Sequence, residues 1–258
     1  MAVIFLLQIE KQGLLGRVLL NGVPVRIWSD PGRADVGDPV NAWVRPGRNV
    51  LELQLNRAPE NDLAAADPRL RLTLTRLDQP DSGPSSSRPL LTYVLPPEDG
   101  APVTWPLRDG RSLTIDDAPP SDLWPRLAPV ALDDAARAGV MALVDRLQAA
   151  LNARDLNLLS RLLQYKAVDV ARCFGYPTTQ ALPSQARFFG DLMQDPDWGM
   201  QPYGPDELQL HLVAGDTMVW VTRPGFAPAL RSAPTADGLS LELPLYIAHI
   251  GGNWWVVR

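Results

Sequence analysis

Apolar and polar positions alternate along this chain with two different periods, and the change from one to the other divides it. Up to about residue 115 the period is two. Leu51, Leu53 and Leu55 fall on one side of a run whose other side carries Val50, Glu52 and Gln54. Leu70, Leu72 and Leu74 alternate in the same way with Arg71, Thr73 and Thr75. One-sided strands of this kind bury one face against a second layer and leave the other wet. Turn chemistry joins them. Asn21-Gly22 lies between apolar runs, as a type I′ hairpin requires, because both central residues take positive φ. Arg45-Pro46-Gly47-Arg48 fits a type II turn, with proline presetting one φ and glycine supplying the positive one. Residues 1–115 are therefore expected to form an antiparallel β-sandwich.

From residue 132 the period becomes helical. Asp133 is placed to cap a helix in which Val140, Leu143, Val144, Leu147 and Leu151 share a face. Asn152-Ala153-Arg154 interrupts it, and Asp155 restarts the pattern with Leu158, Leu159, Leu162 and Leu163. Residues 167–174 also read as helical, and a further amphipathic segment over 184–193 should bury Phe188, Phe189 and Leu192. Strands are expected near 207–213, 217–223, 239–249 and 253–258, with Ala214-Gly215-Asp216 and Gly251-Gly252 as tight turns and a long loop from Pro224 to Gly238. Helices written before a meander predict helices packed in a curved antiparallel sheet, a cone. Prolines crowd between Pro80 and Pro129. Within that stretch Asp78 to Pro89 reads as a mobile loop, and residues 116–131 read as a proline-rich linker. The expected fold is thus α+β with two domains, 1–115 and 132–258.

Two resemblances sharpen this picture. Residues 147–156 (LQAALNARDL) run from a helix end through a short break closing on Asp155 into a new helix. They resemble the opening of a nuclear transport factor 2-like domain, the superfamily of ketosteroid isomerases and SnoaL-type polyketide cyclases. The closing YIAHIGGNWWVV, residues 246–257, is similar to the last hairpin of that family. The likeness covers the C-terminal half and implies a cystatin-like cone. It departs from the family pattern at residues 167–174, helical here where many relatives place a short strand bearing a functional carboxylate. In the N-terminal half, the Asn21-Gly22 hairpin and the later Pro46-Gly47-Arg48-Asn49-Val50-Leu51 resemble a galactose-binding-like domain. That implies a jelly-roll-like sandwich that binds sugar or serves as a scaffold.

Composition removes several functions. The net charge is −5 and the arginines are scattered, which argues against nucleic acid as a partner. Cys173 is the only cysteine, so no internal disulfide can form. His211 and His249 are the only histidines, and no metal-ligand spacing occurs, so neither metal nor cofactor is expected. The apolar start, Met1 to Leu7, reads as a strand. No run approaches the ~18 apolar residues of a membrane helix. The expected location is the cytoplasm, or the periplasm if a leader has been removed.

Candidate chemistry is sparse. His249 shares a strand face with Leu241, Leu243, Leu245 and Ile247, which would put it in the concave interior. With Tyr246, Tyr176 and Asp169 it makes the candidate pocket for a small molecule. Isomerase chemistry needs a carboxylate base facing a tyrosine and a protonated acid. Asp169, Asp191, Tyr165, Tyr176 and Tyr246 supply the residue types, but their spacing singles out no pair. His211 lies opposite Leu208, Leu210 and Leu212 and should face solvent. Cys173 has apolar neighbours and reads as a buried thiol, and of Trp254 and Trp255, on opposite strand faces, one should be core and the other exposed or covered by a partner. Asp116, Asp117, Asp122 and Trp124 make an acidic, aromatic stretch that a basic partner could read. The absence of any nucleophile, phosphate-loop or metalloprotease motif leans against catalysis. The reading this favours is a non-catalytic protein-binding protein, such as a bacterial immunity protein neutralising a cognate secreted toxin. A ligand-binding or isomerase/cyclase-type protein using the cone is the alternative, and a carbohydrate-binding accessory protein is the third.

Overall fold

The structure is a computed structural model that describes residues 2–59, 67–79, 85–204, 206–234 and 240–258. It is α+β, its sheets antiparallel, and it divides into two compact units, residues 1–120 and 121–258.

The N-terminal unit contains β1 (Ala2–Gln12), β2 (Leu14–Leu20), β3 (Val23–Trp28), β4 (Ala34–Pro39), β5 (Gly47–Arg57), β6 (Arg69–Gln79), β7 (Ser86–Leu95) and β8 (Leu107–Ile115). They form two four-stranded sheets, β4-β1-β6-β7 and β3-β2-β5-β8. One core joins them: Phe5, Leu7, Ile9, Leu72 and Leu74 from the first sheet pack with Val18, Leu20, Leu51, Leu53 and Leu55 from the second. The period-two runs thus bury the leucine faces the sequence marks. Asn21 (φ 55°) and Gly22 (φ 75°) make the β2–β3 turn with both residues left-handed, and Gly47 (φ 81°) supplies the positive φ after Pro46. Buried amides staple these turns. Asn21 Nδ2 donates to Asn49 Oδ1 and to the Trp43 carbonyl, both at 2.8 Å, while Asn49 Nδ2 donates to the carbonyls of Arg45 (2.8 Å) and Gly47 (3.0 Å). Strands β6 and β7 continue through Gln79 and from Ser86. The loop expected over 78–89 is accordingly shorter, and residues 80–84 lie outside the described residues.

The C-terminal unit begins with α1 (Asp134–Asn152), α2 (Leu156–Leu162), α3 (Gln164–Cys173) and α4 (Ala181–Leu192). Asp133 caps α1 by accepting from Ala136 N at 2.8 Å, and Asp155 caps α2 by accepting from Leu158 N at 2.9 Å. These aspartates satisfy amides that the first helical turn leaves without partners. After them come β9 (Gln209–Val213), β10 (Met218–Arg223), β11 (Ala227–Pro228), β12 (Leu230–Arg231), β13 (Glu242–Leu243), β14 (Leu245–Ile250) and β15 (Asn253–Val256). The main sheet runs β11-β10-β14-β15 with β9 also on β10, and β12 pairs with β13. Val140, Leu143, Val144 and Leu147 of α1 pack with Leu159 and Leu162 of α2 against Val219, Val221, Leu245, Ile247 and Val256.

Two expectations need correction. The long strand over 239–249 is broken after Leu243, where Pro244 has no N–H to give the ladder. Phe189 is buried in α4, but Phe188 is 53% exposed, because adjacent helical residues point about 100° apart. The stretch read as a linker holds one short regular element, the 3-10 turn Trp124–Arg126, and it is packed: Leu123 is buried, and Val130 N bonds to the Asp216 carbonyl at 2.8 Å. From Ser121 onward it belongs to the C-terminal unit.

Candidate functional site

The candidate pocket residues do not meet in an interior. His249 is exposed. It shares the core face of β14 with Leu245 and Ile247 but stands beside the Gly251-Gly252 turn, past the edge of the packed layer, with its ring 5.0 Å from that of Trp254. Alternation assigned its face correctly; the end of the strand decided its exposure. Tyr246 lies on the opposite face of β14, stacked on Trp220 with centroids 6.0 Å apart, and its burial pushes the phenol well above its ordinary pKa. Tyr176 is 67% exposed beyond the end of α3. Instead of facing solvent, His211 is half-buried, with Nε2 3.0 Å from Thr222 Oγ1 and its ring 5.3 Å from that of Trp220, while Leu212 is 37% exposed.

Asp169 alone among the four sits in a built polar site, whose other members the sequence reading did not gather. It is 5% exposed, on the face of α3 that also carries Lys166 and Cys173. Arg258 Nη2 donates to its Oδ2 at 2.6 Å, and Ser121 Oγ lies 2.9–3.0 Å from both carboxylate oxygens. The amides of Asp122 (2.9 Å) and Leu123 (3.2 Å) donate to Oδ1, and the Cys173 thiol lies 3.7 Å from Oδ2. Burial, reinforced by the Asp169 carboxylate, raises the Cys173 thiol to about 11. Burial and the neighbouring Arg258 guanidinium lower the Lys166 ammonium to about 8. A carboxylate with its lone pairs committed to an ion pair, a hydroxyl and two amides is a structural acceptor; abstracting a substrate proton would require breaking those bonds first. No group of three or more His, Cys, Asp or Glu side chains among the described residues is arranged to hold a metal. No described helix is long and apolar enough to cross a membrane.

The acidic stretch is mostly committed as well. Asp117 pairs with Arg76, and Asp122 pairs with Arg172. Trp124 is half-buried, and its indole nitrogen has no hydrogen-bond partner. Among the described residues, Asp116 alone of the three acids has no ion pair, so the stretch presents much less negative charge than its sequence suggests.

Two open clefts lie on the C-terminal unit. The smaller, of about 280 Å³, is bounded by Leu123, Arg126, Tyr165, Asp169, Arg172 and Leu182. The larger, of about 590 Å³, lies between α1, α2 and the β14–β15 hairpin, and Arg146, Arg161, Asn253, Trp254 and Trp255 line it. Gln164 lines both. At the junction Tyr165 packs on Trp255 with ring centroids 4.9 Å apart. Trp254 reaches α1 at Gly139, where a Cβ would lie 2.3 Å from the indole Nε1; only glycine leaves room for the ring. Neither tryptophan is fully core, where one was expected to be: both are half-buried. Arg126, Arg146 and Arg161 have no ion-pair partner among the described residues. Compared with protein-family models, curated proteins and solved structures, the chain matches none.

Proposed function

We propose that this chain is a non-catalytic binding protein that holds another protein on the surface of its C-terminal unit, in the manner of a bacterial immunity protein capping a secreted toxin. One observation carries the reading. The buried Asp169 carboxylate is saturated by internal donors, whereas Arg126, Arg146 and Arg161, without an ion-pair partner among the described residues, surround open clefts walled by aromatic rings. Tryptophan, tyrosine and arginine are the residue types that dominate protein–protein recognition, because they offer large contact area with few rotamers to freeze. The binding surface is therefore placed on these clefts, and the acidic stretch is given up as its centre. On this reading the N-terminal unit is a jelly-roll-like scaffold, and the C-terminal unit is a nuclear transport factor 2-like cone whose interior is filled by leucine and valine.

Affinity capture from the native host, followed by reciprocal purification at equimolar concentration, tests this. The expected result is a protein that co-elutes stoichiometrically and whose capture survives His249→Ala. Strong thermal stabilisation by an apolar metabolite, lost in His249→Ala and unaccompanied by any protein partner, would replace this reading with the ligand-binding one.

A further inference from the structure

Resting on that proposal, we infer that the two clefts act as one groove and that its occupant is an extended, acidic segment of the partner polypeptide. Tyr165 lines the smaller cleft and Trp255 the larger; these rings pack on each other, and Gln164 belongs to both walls. A groove built this way has Tyr165, Trp255 and Trp254 in its walls, with arginines in both clefts.

Charge selects the occupant. Arg126 and Arg172 line one cleft and Arg146 and Arg161 the other. The two acids in the lining are already neutralised, Asp122 by Arg172 and Asp169 by Arg258. Among the described residues, the three other guanidiniums of the lining are thus left without a counter-charge, in a chain whose net charge is −5. A guanidinium fork takes a carboxylate in two parallel hydrogen bonds. Apolar or aromatic side chains set between the partner's acids would meet the indole and phenol faces. The side-chain amides of Gln164 and Asn253 line the same groove and suit the backbone of an extended chain, which carries one donor and one acceptor per residue. Single-stranded nucleic acid could also stack on these rings. It carries one phosphate per nucleotide, however, and the protein's net negative charge opposes it over the Debye length of about 10 Å. An acidic peptide meets the same repulsion, but its acids can be spaced with apolar residues between them and its backbone can pair with the Gln164 and Asn253 amides.

The test uses the full chain and a fluorescein-labelled peptide alternating glutamate with leucine, read by anisotropy at low and high salt. A lysine-for-glutamate peptide and a single-stranded oligonucleotide serve as comparison ligands. The proposal requires that the glutamate peptide bind, that salt weaken it, and that the double variant Arg146→Glu/Arg161→Glu lower its affinity by at least about tenfold. All three arginines without partners are solvent-exposed, so circular dichroism should show an unchanged fold, and a single Arg126→Glu variant gives a second reading in the other cleft. No binding, equal binding by the charge-reversed chain, or preference for the lysine peptide or the oligonucleotide overturns it. If the charge-reversed chain still captures the native protein partner at full affinity, the groove assignment falls and the binding function stands. Absence of any protein partner would sink the function itself.

Discussion

Asp169→Ala is the most demanding test of how the C-terminal unit is held together. The substitution removes the partner of a guanidinium whose side chain is only 2% exposed. It also removes the acceptor for Ser121 Oγ and for the amides of Asp122 and Leu123. Breaking a buried ion pair from one side costs about 3–5 kcal/mol, because the remaining charge stays desolvated. Each amide left without a partner adds up to about 1–3 kcal/mol unless water reaches it. Against a typical domain stability of ~5–15 kcal/mol, the unit should be close to unfolded. Urea denaturation followed by tryptophan fluorescence and far-ultraviolet circular dichroism is the assay. The two units need not unfold together, so a transition belonging to residues 1–120 serves as the internal control and should not move. Asp169→Ala/Arg258→Met then removes the stranded charge and should recover much of the loss. A change of less than about 1 kcal/mol in the single variant, or no recovery in the double, would show that the pair is incidental to stability.

Three further outcomes follow from named contacts. At Gly16 (φ 133°) a Cβ would lie 2.1 Å from the Gln54 carbonyl oxygen across the β2–β5 ladder, so Gly16→Ala should destabilise the N-terminal unit by at least about 1–3 kcal/mol in thermal melts; an unchanged melt would refute that close approach. The Lys166 amine, lowered from 10.5 to about 8, binds fewer protons folded than unfolded between those values, so stability should rise with pH from about 8 towards 10.5. Lys166→Met should flatten that rise and stabilise the unit at pH 7, by on the order of 1–3 kcal/mol after allowance for partial exposure; a less stable variant at pH 7 would contradict this. Cys173, raised from 9.0 to about 11, makes the opposite contribution, with stability falling as pH climbs through that window. The lysine effect is therefore best read below pH 9. The same thiol should resist Ellman's reagent at pH 8 until urea unfolds the C-terminal unit, and rapid labelling of the native protein would show that it is accessible.

What could be read in the sequence was local in origin. The Asn21-Gly22 turn follows from backbone sterics at two residues, and the Asp133 and Asp155 caps from amides within one helical turn. The break at Pro244 was also visible, since a proline within an apolar run cannot complete a ladder; the alternation of Leu241, Leu243 and Leu245 masked it. His249 was harder, because periodicity assigns a face and cannot say where the packed layer stops. The Asp169 site needed Ser121 and Arg258 brought to one helix face, and nothing in their spacing announces it. The groove arginines did leave a trace. Arg146 has Ala142, Leu143, Ala149 and Ala150 as its helical neighbours, and Arg161 has Asn157, Leu158, Gln164 and Tyr165. No acid stands at i±3 or i±4 to neutralise either one. Two helical cations without local partners, on an acidic chain, are a signal worth reading in other sequences.

The Asp169 carboxylate also has a kinetic meaning. It ties α3 to Ser121, 48 residues earlier, and to Arg258, 89 residues later, so both loops must close before the ion pair exists. Closing long loops carries an entropic cost, and the expectation is that this contact forms late, in the region of low φ-values. Interactions that are absent from the transition state leave the folding rate almost untouched and act on the escape rate instead. The pair should therefore behave as a latch. Its loss would appear as faster unfolding at nearly constant refolding speed, and its presence would give the C-terminal unit a residence time in the native state longer than its equilibrium stability alone implies.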